Sequence, residues 1–160
     1  MSIQIYTDGS AKGNPGPGGF GAVLLSNDGH RKEIAQGFRL TTNNRMELLS
    51  VIVALETLKS SPLDVTVYSD SKYVVDAVEK KWVFNWEKKY FKKKKNPDLW
   101  KRFLHVYRKH NVQFTWIKGH DNNVENERCD KLAVNAAETS KLHSIDKEYE
   151  VTQQKGLTLL

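Results

Sequence analysis

The segment Ile5-Tyr6-Thr7-Asp8-Gly9-Ser10, followed by Gly13-Asn14-Pro15-Gly16-Pro17-Gly18-Gly19, constrains the fold of this chain more than any other. Ile3, Ile5 and Thr7 alternate with Gln4, Tyr6 and Asp8, which is the period of a strand. A strand ending on Asp8 places a carboxylate at its carboxyl end, where open α/β sheets place ligands. The glycines that follow let the backbone approach a bulky partner closely. Taken alone, the segment is equally consistent with an aspartate that merely caps a turn.

The rest of the chain supplies the sheet around that strand. A second strand is predicted over 19–25, a hairpin turn at Ser26-Asn27-Asp28-Gly29, and a third strand over 31–40. The pattern becomes helical over 44–59, with Met46, Leu49, Ile52, Val53 and Leu58 apolar, until Ser60-Ser61-Pro62 stops it. A strand over 64–70 ends in Ser69-Asp70, and 71–95 reads as helix in two pieces. Asn96-Pro97-Asp98 breaks it. A helix over 99–110, a fifth strand over 112–118, a loop over 119–123 and a helix over 124–141 complete the pattern. A meander followed by strands alternating with helices predicts an α/β fold: a mixed five-stranded sheet, antiparallel meander plus two parallel strands, flanked by helices.

With 160 residues the chain suits one domain, able to bury roughly two thirds of the surface its unfolded form exposes. An apolar content of 39% with four Trp, six Tyr and six Phe argues for a packed core and against disorder. No run approaches membrane-spanning length. The single cysteine, Cys129, excludes an internal disulfide and fits a reducing compartment, so a soluble cytoplasmic protein is expected. The net charge of +6 is concentrated in one place: residues 80–95 carry eight Lys and one Glu, and the remainder of the chain is nearly neutral. Trp82, Phe84, Trp86, Tyr90 and Phe91 are threaded through those lysines. Cations for phosphates and rings for sugars or bases suit a nucleic-acid groove better than a merely solvated helix face.

Four carboxylates stand out. Asp8 and Asp70 each end an apolar strand, although Asp70 is also placed to cap the helix that follows. Asn44-Arg45-Met46-Glu47 fits a capping box with Glu47 at the third helical position, and Asp130 lies beside the stripe Cys129, Leu132, Ala133, Ala136, Ala137. If Asp8 and Asp70 end neighbouring parallel strands, the two helices can deliver Glu47 and Asp130 to the same edge. Carboxylates brought together repel and push some members toward protonation. A hard divalent cation such as Mg²⁺ removes that conflict. No zinc-type His/Cys spacing, Walker motif or serine-nucleophile elbow is present.

Six motifs in order carry a resemblance: Thr7-Asp8-Gly9-Ser10, the run from Gly13 to Gly19, Thr42-Asn43-Asn44-Arg45-Met46-Glu47, Ser69-Asp70-Ser71, Lys118-Gly119-His120 and Glu125-Asn126-Glu127-Arg128-Cys129-Asp130. From Ile3 to about Ala137 the chain resembles bacterial-type ribonuclease H of type 1. The resemblance implies that Asp8, Glu47, Asp70 and Asp130 bind two Mg²⁺ ions, with Mn²⁺ as a possible substitute. It implies hydrolysis of the RNA strand of an RNA–DNA hybrid, with 5′-phosphate and 3′-hydroxyl ends. In two-metal sites the ions stand roughly 3.5–4 Å apart, one activating water and the other stabilising the leaving oxygen. His120 matches the family's loop histidine, which assists proton transfer or product release.

Substrate residues follow from the same resemblance. Asn14, Asn43 and Asn44 offer amides to 2′-hydroxyls, the group that marks RNA. Thr42 and Asn96 match positions holding a phosphate of the DNA strand. Residues 80–95 match a basic protrusion in which Trp82 and Trp86 flank the DNA backbone and lysines such as Lys88 and Lys89 bind phosphates. The implied organisation is a catalytic domain over 1–143 and a C-terminal tail over 144–160, acting as a monomer without a membrane. Lys72 stands where many relatives carry an amide, and Asn122 and Val124 replace a common Gly and Pro. The segment between Trp86 and Trp100 is shorter and richer in lysine than in the best-known members. The tail matches nothing in the family; either its Val151, Leu157, Leu159 and Leu160 dock it on the body, or it hangs loose. Two other classes compete: a hybrid-binding module without activity, and a DNA-directed nuclease or integrase on the same fold. The full acidic set with His120 argues against the first, and the asparagines and basic segment against the second.

Overall fold

The computed structural model describes residues 2–158. Strands β1 (Ser2–Ala11), β2 (Gly16–Ser26) and β3 (Arg31–Thr41) form an antiparallel meander, and β4 (Asp64–Ser69) and β5 (Asn111–Trp116) extend it with parallel pairings. The order β3-β2-β1-β4-β5 places β1 in the centre, and the strand read from its alternation is there. Thr7 pairs with Ser69 across the parallel β1–β4 ladder, so Asp8 and Asp70 follow side by side at the same end of the sheet.

The two faces of the sheet are covered differently, and β2 shows why. Phe20, Ala22 and Leu24 of β2 face the main core, where helix α1 (Asn43–Glu56) buries Met46, Leu48, Val51, Ile52 and Leu55. Each such side chain, fully buried, contributes about 1.5–3 kcal/mol relative to exposure. Helix α4 (Pro97–Tyr107) backs α1 with Trp100 and Phe103, and α2 (Lys72–Glu79) and α3 (Trp82–Lys88) close the same side with Val74, Val78 and Val83. On the opposite face Gly19 and Gly21 receive helix α5 (Val124–Glu138) at backbone distance. A Cβ on Gly21 would stand 2.5 Å from Leu132 Cβ and 2.6 Å from the Cys129 carbonyl oxygen. That close approach explains the small stripe of Cys129, Ala133 and Ala137 on α5.

Two expectations about local structure change. The first turn of α1 is capped by Thr42, whose hydroxyl accepts from the Arg45 amide at 3.2 Å, not by a box spanning Asn44 and Glu47. Thr42 is still extended at the end of β3, so its hydroxyl meets the third amide of the helix and Glu47 falls a turn deeper. Helix does not run on to Lys95 either. Lys81 has φ 62°, and Tyr90, Phe91, Lys93 and Asn96 have φ 55°, 57°, 62° and 61°, a concentration of left-handed residues that ends helix. The turn buries Phe91 and leaves Tyr90 90% exposed.

The tail, for which the sequence left docking and a loose end both open, runs back along the body. Ser144 lies against β3, its amide donating to the Gly37 carbonyl at 2.8 Å while its carbonyl accepts from the Arg39 amide at 3.1 Å. Helix α6 (Lys147–Thr158) follows, held by Arg39, whose guanidinium stands 2.8 Å from the Glu150 carboxylate. These two contacts are polar. Val151 remains 38% exposed, and the Leu157 side chain, Leu159 and Leu160 lie outside the described residues. No described helix is long and apolar enough to cross a membrane.

Candidate active site

The site is built where β1 and β4 end. Gly9 allows it: a Cβ there would stand 2.4 Å from the Glu47 nitrogen, so only a bare backbone lets α1 press onto the end of β1. The Gly9 amide then donates to Glu47 Oε1 at 3.1 Å and to Asp8 Oδ1 at 2.9 Å. Asp8, Glu47 and Asp70 each bring a carboxylate oxygen within 4.8 Å of the others. Asp130 and His120 line the same cleft, with Asn43, Asn44, Lys72 and Tyr73, but stand outside the close trio. Gly119 leaves room beside Asp70, since a Cβ there would lie 2.8 Å from Asp70 Oδ2. His120 is exposed on the adjacent loop, with φ 57°.

The electrostatics of the trio are frustrated. Burial, with the charges of Asp70 and Asp130, pushes Asp8 up to about 7 despite a hydrogen bond with Glu47 that acts the other way. Burial and the neighbouring Asp8 hold Glu47 well above the usual carboxylate range. Glu47 Oε2 is shut off from solvent and has no hydrogen-bond partner. An orphaned buried carboxylate oxygen beside two more acids is a donor set of hard oxygens, and it fits a divalent cation of the Mg²⁺ or Mn²⁺ kind.

A stability consequence follows from the sign of these shifts. A carboxyl raised in the folded state binds its proton more tightly there than in the unfolded chain, so stability is lost as pH rises from about 4 through 7. With divalent cations chelated, the Tm should therefore fall between pH 5 and pH 8. Asp8→Asn should flatten that fall. The carboxylates held low by ion pairs, such as Asp98, titrate below this window and leave it unaffected. A fall as steep in Asp8→Asn as in the wild type, in melts across that window, would place the frustration elsewhere.

The substrate candidates lie around this cleft. The Ala11 amide donates to Asn43 Oδ1 at 2.6 Å and the Asn43 amide to Asn14 Oδ1 at 3.2 Å. The side-chain oxygens of Asn14 and Asn43 are thus occupied, and the NH₂ group is the donor each presents. Asn44 is exposed beside them. Asn96, left-handed at the start of α4, makes no capping bond; its Oδ1 accepts from Arg45 Nη1 at 3.2 Å and its Nδ2 donates to the Tyr73 hydroxyl at 2.9 Å. Trp82 is 44% exposed at the start of α3, whereas Trp86 packs edge-on against Trp100 with Lys94 over its ring. Lys88 and Lys89 are exposed at the end of α3.

Two polar groups at the site were not singled out from the sequence. Buried Asn126 approaches Asp70 Oδ2 at 3.4 Å. Buried Arg45, flanked in sequence by cleft residues, ties α1 to Asp98 and Asp146. A basic residue in the first turn of a strongly apolar helix was the available signal for Arg45. Cys129 is no reactive group: burial pushes its thiol up, and its Sγ donates to the Tyr6 carbonyl at 3.2 Å.

A mixed β3-β2-β1-β4-β5 sheet with clustered carboxylates at the ends of its central parallel strands defines an RNase-H-like fold with a cation-type acidic site. The sequence matches the RNase H family model over residues 1–138, and the chain belongs to that family. It is 52% identical over 147 residues to ribonuclease H of Trichodesmium erythraeum (strain IMS101), covering 89% of this chain and 92% of that one. With ribonuclease H of Desulforamulus reducens identity is 54% over 145 residues, covering 88% and 90%. Among solved structures, LC9-RNase H1, described as a type 1 RNase H with the type 2 active-site motif, superposes with TM-score 0.76 at 33% identity, over 85% of this chain and 72% of that one. LC11-RNase H1 in complex with an RNA/DNA hybrid superposes with TM-score 0.66 at 30% identity, over 86% and 98%.

Proposed function

We propose that this chain is an endoribonuclease that hydrolyses the RNA strand of RNA–DNA hybrids at the Asp8–Glu47–Asp70 cleft, leaving 5′-phosphate and 3′-hydroxyl ends. The observation that carries the proposal is the trio of carboxylates within 4.8 Å, one with an orphaned buried oxygen. Asp8, Glu47 and Asp70, with Asp130 completing the set, would hold two Mg²⁺ ions, for which Mn²⁺ can substitute. When bound, such ions supply an activated water and charge stabilisation at the leaving oxygen. The protein's own part is to hold four acids at a strand end where their mutual repulsion favours cation uptake over protonation.

The remaining residues orient the substrate. The NH₂ groups of Asn14, Asn43 and Asn44 reach for 2′-hydroxyls of the RNA strand. Thr42 and Asn96 hold a phosphate of the DNA strand. Trp82 and Trp86 line the DNA backbone, and Lys88, Lys89 and the lysines after them bind its phosphates. In this reading residues 1–143 are the catalytic domain and 144–160 a tail, and the protein works as a cytoplasmic monomer. The complex of the LC11 relative with a hybrid supports the choice of substrate class.

Cleavage of matched hybrid, RNA duplex and DNA duplex, each with Mg²⁺ and with chelator, tests the proposal. Cleavage of the RNA strand in the hybrid alone, abolished by chelator, is expected. Binding without cleavage would make the chain a hybrid-binding module, and cleavage of the DNA duplex would make it a DNA-directed nuclease. His120→Ala should slow turnover by about 10²-fold without abolishing it, since one general acid or base contributes on that order. An unchanged steady-state rate in that variant would reduce His120 to an ordinary surface histidine.

A further inference from the structure

Arg45 is 3% exposed, and every one of its guanidinium N–H groups is used. Nε and Nη2 fork onto Asp146 at 2.7 and 2.9 Å. Nη1 and Nη2 fork onto Asp98 at 3.0 and 2.7 Å, and the remaining Nη1 hydrogen goes to Asn96 Oδ1 at 3.2 Å. A saturated, buried guanidinium has no donor left for a ligand. It can only position its neighbours: Asn96 directly, and Asp146, whose Oδ2 also takes the hydroxyl of Thr41, the residue before Thr42.

Asp146 comes from the tail and lies 101 positions from Arg45 in sequence. It is buried, and its Oδ2 also accepts from the Thr41 hydroxyl at 2.7 Å. Asn96 has no capping bond, so its amide plane is set by Arg45 on one side and the Tyr73 hydroxyl on the other. Tyr73 is fixed in turn by the Trp100 indole N–H at 3.0 Å.

We propose that Asp146, and through it the C-terminal tail, is a positioning residue for substrate: it holds Arg45 so that Asn96 and Thr42 present a preformed site to a backbone phosphate. The proposal rests on the reading of Asn96 and Thr42 as phosphate-holding residues. It extends the binding apparatus beyond the catalytic domain, into a segment past the end of the family match at residue 138.

Sign separates positioning from simple electrostatics. Arg45 with Asp98 and Asp146 carries an excess negative charge. Removing one carboxylate would draw a phosphate closer if charge alone mattered, and KM for hybrid would fall. If Asp146 acts by orientation, Asp146→Asn loosens the fork on Arg45, Asn96 is no longer held in a fixed plane, and KM rises instead. An amide contact releases no counterion, so the salt slope of binding should stay as it is in the wild type.

The test is steady-state cleavage of a hybrid in Mg²⁺, well below each variant's Tm, for the wild type, Asp146→Asn, Asn96→Ala, the double variant, and Thr41→Val. Asp146→Asn should raise KM about three- to tenfold with kcat nearly constant, and Thr41→Val should shift KM the same way by less. In the Asn96→Ala background Asp146→Asn should add little, because both changes disable one and the same phosphate site. Arg39→Gln, which cuts the ion pair between β3 and Glu150 of the tail, serves as the control and should leave KM alone. An Asp146→Asn KM equal to or below wild type, or a full additive effect in the Asn96→Ala background, would overturn the proposal. A wild-type KM in Asn96→Ala itself would instead overturn the phosphate-site reading. Should Asp146→Asn fail to fold, Thr41→Val and Asn96→Ala with their double variant decide by the same non-additivity.

Discussion

Asp8→Asn is expected to reduce cleavage of the hybrid by at least about 10³-fold in saturating Mg²⁺, with binding of the hybrid largely intact. The change keeps the shape of a central side chain but removes one of three carboxylates within 4.8 Å. Metal-assisted stabilisation of transition-state charge is worth several kcal/mol, and each 1.36 kcal/mol is about tenfold in rate. Asp70→Asn should act alike. The Asp8 substitution also relieves a carboxyl pushed up to about 7 by burial and by its neighbours. Without divalent cations the Asp8→Asn protein should therefore melt higher than the wild type at pH 8. Added Mg²⁺ should raise the Tm of the wild type more than that of the variant, because a ligand stabilises only the state that binds it. Near wild-type turnover in both variants, measured at several Mg²⁺ concentrations, would remove the carboxylate trio from the reaction.

The second large effect concerns the protrusion. Replacing Lys92, Lys93, Lys94 and Lys95 together by Ala should raise KM for hybrid at least about tenfold near physiological salt, with a much smaller effect on turnover at saturation. For every phosphate no longer neutralised by a lysine, the log–log salt slope should drop by about 0.9. All four lysines are exposed, on a turn held in shape by buried Phe91, so their removal leaves the core in place. Lys94 also lies 5.0 Å from the Trp86 ring centroid. Because Trp86 packs on Trp100, Trp86→Ala disturbs the core as well as the groove, and Trp82→Ala is the cleaner aromatic probe. The affinity decrease in Trp82→Ala should be nearly independent of salt, since stacking releases no counterions. If the quadruple variant kept both its affinity and its salt slope, measured by titration against labelled hybrid, the lysines would be a solvated surface.

Much of this protein can be read from residues in order. Alternation around Ile3 and Ile5, the glycine run after Asp8, and the apolar face of α1 are local patterns, and local patterns specify strands, turns and helices directly. They were enough for a mixed sheet, for the convergence of Asp8 and Asp70, and for the motifs of the family. Boundaries and caps were less secure. Whether Thr42 or Asn44 caps α1 depends on how far β3 remains extended, and the end of α3 depends on residues that enter the left-handed region to bury Phe91.

Other features were decided only by tertiary structure. That Glu47 Oε2 is orphaned follows from Gly9 letting α1 press onto β1, which no window of sequence around either residue contains. Trp82 and Trp86 have the same chemistry and the same lysine-rich surroundings, yet one is half exposed and the other is packed against Trp100. The sequence left open whether the tail docks or hangs loose, and among the described residues Ser144 on β3 and Asp146 on Arg45 tie its start to the body. An ion pair between residues 101 positions apart leaves no periodicity to read: a lone Asp in a polar segment looks solvated until the fold supplies the buried guanidinium that needs it.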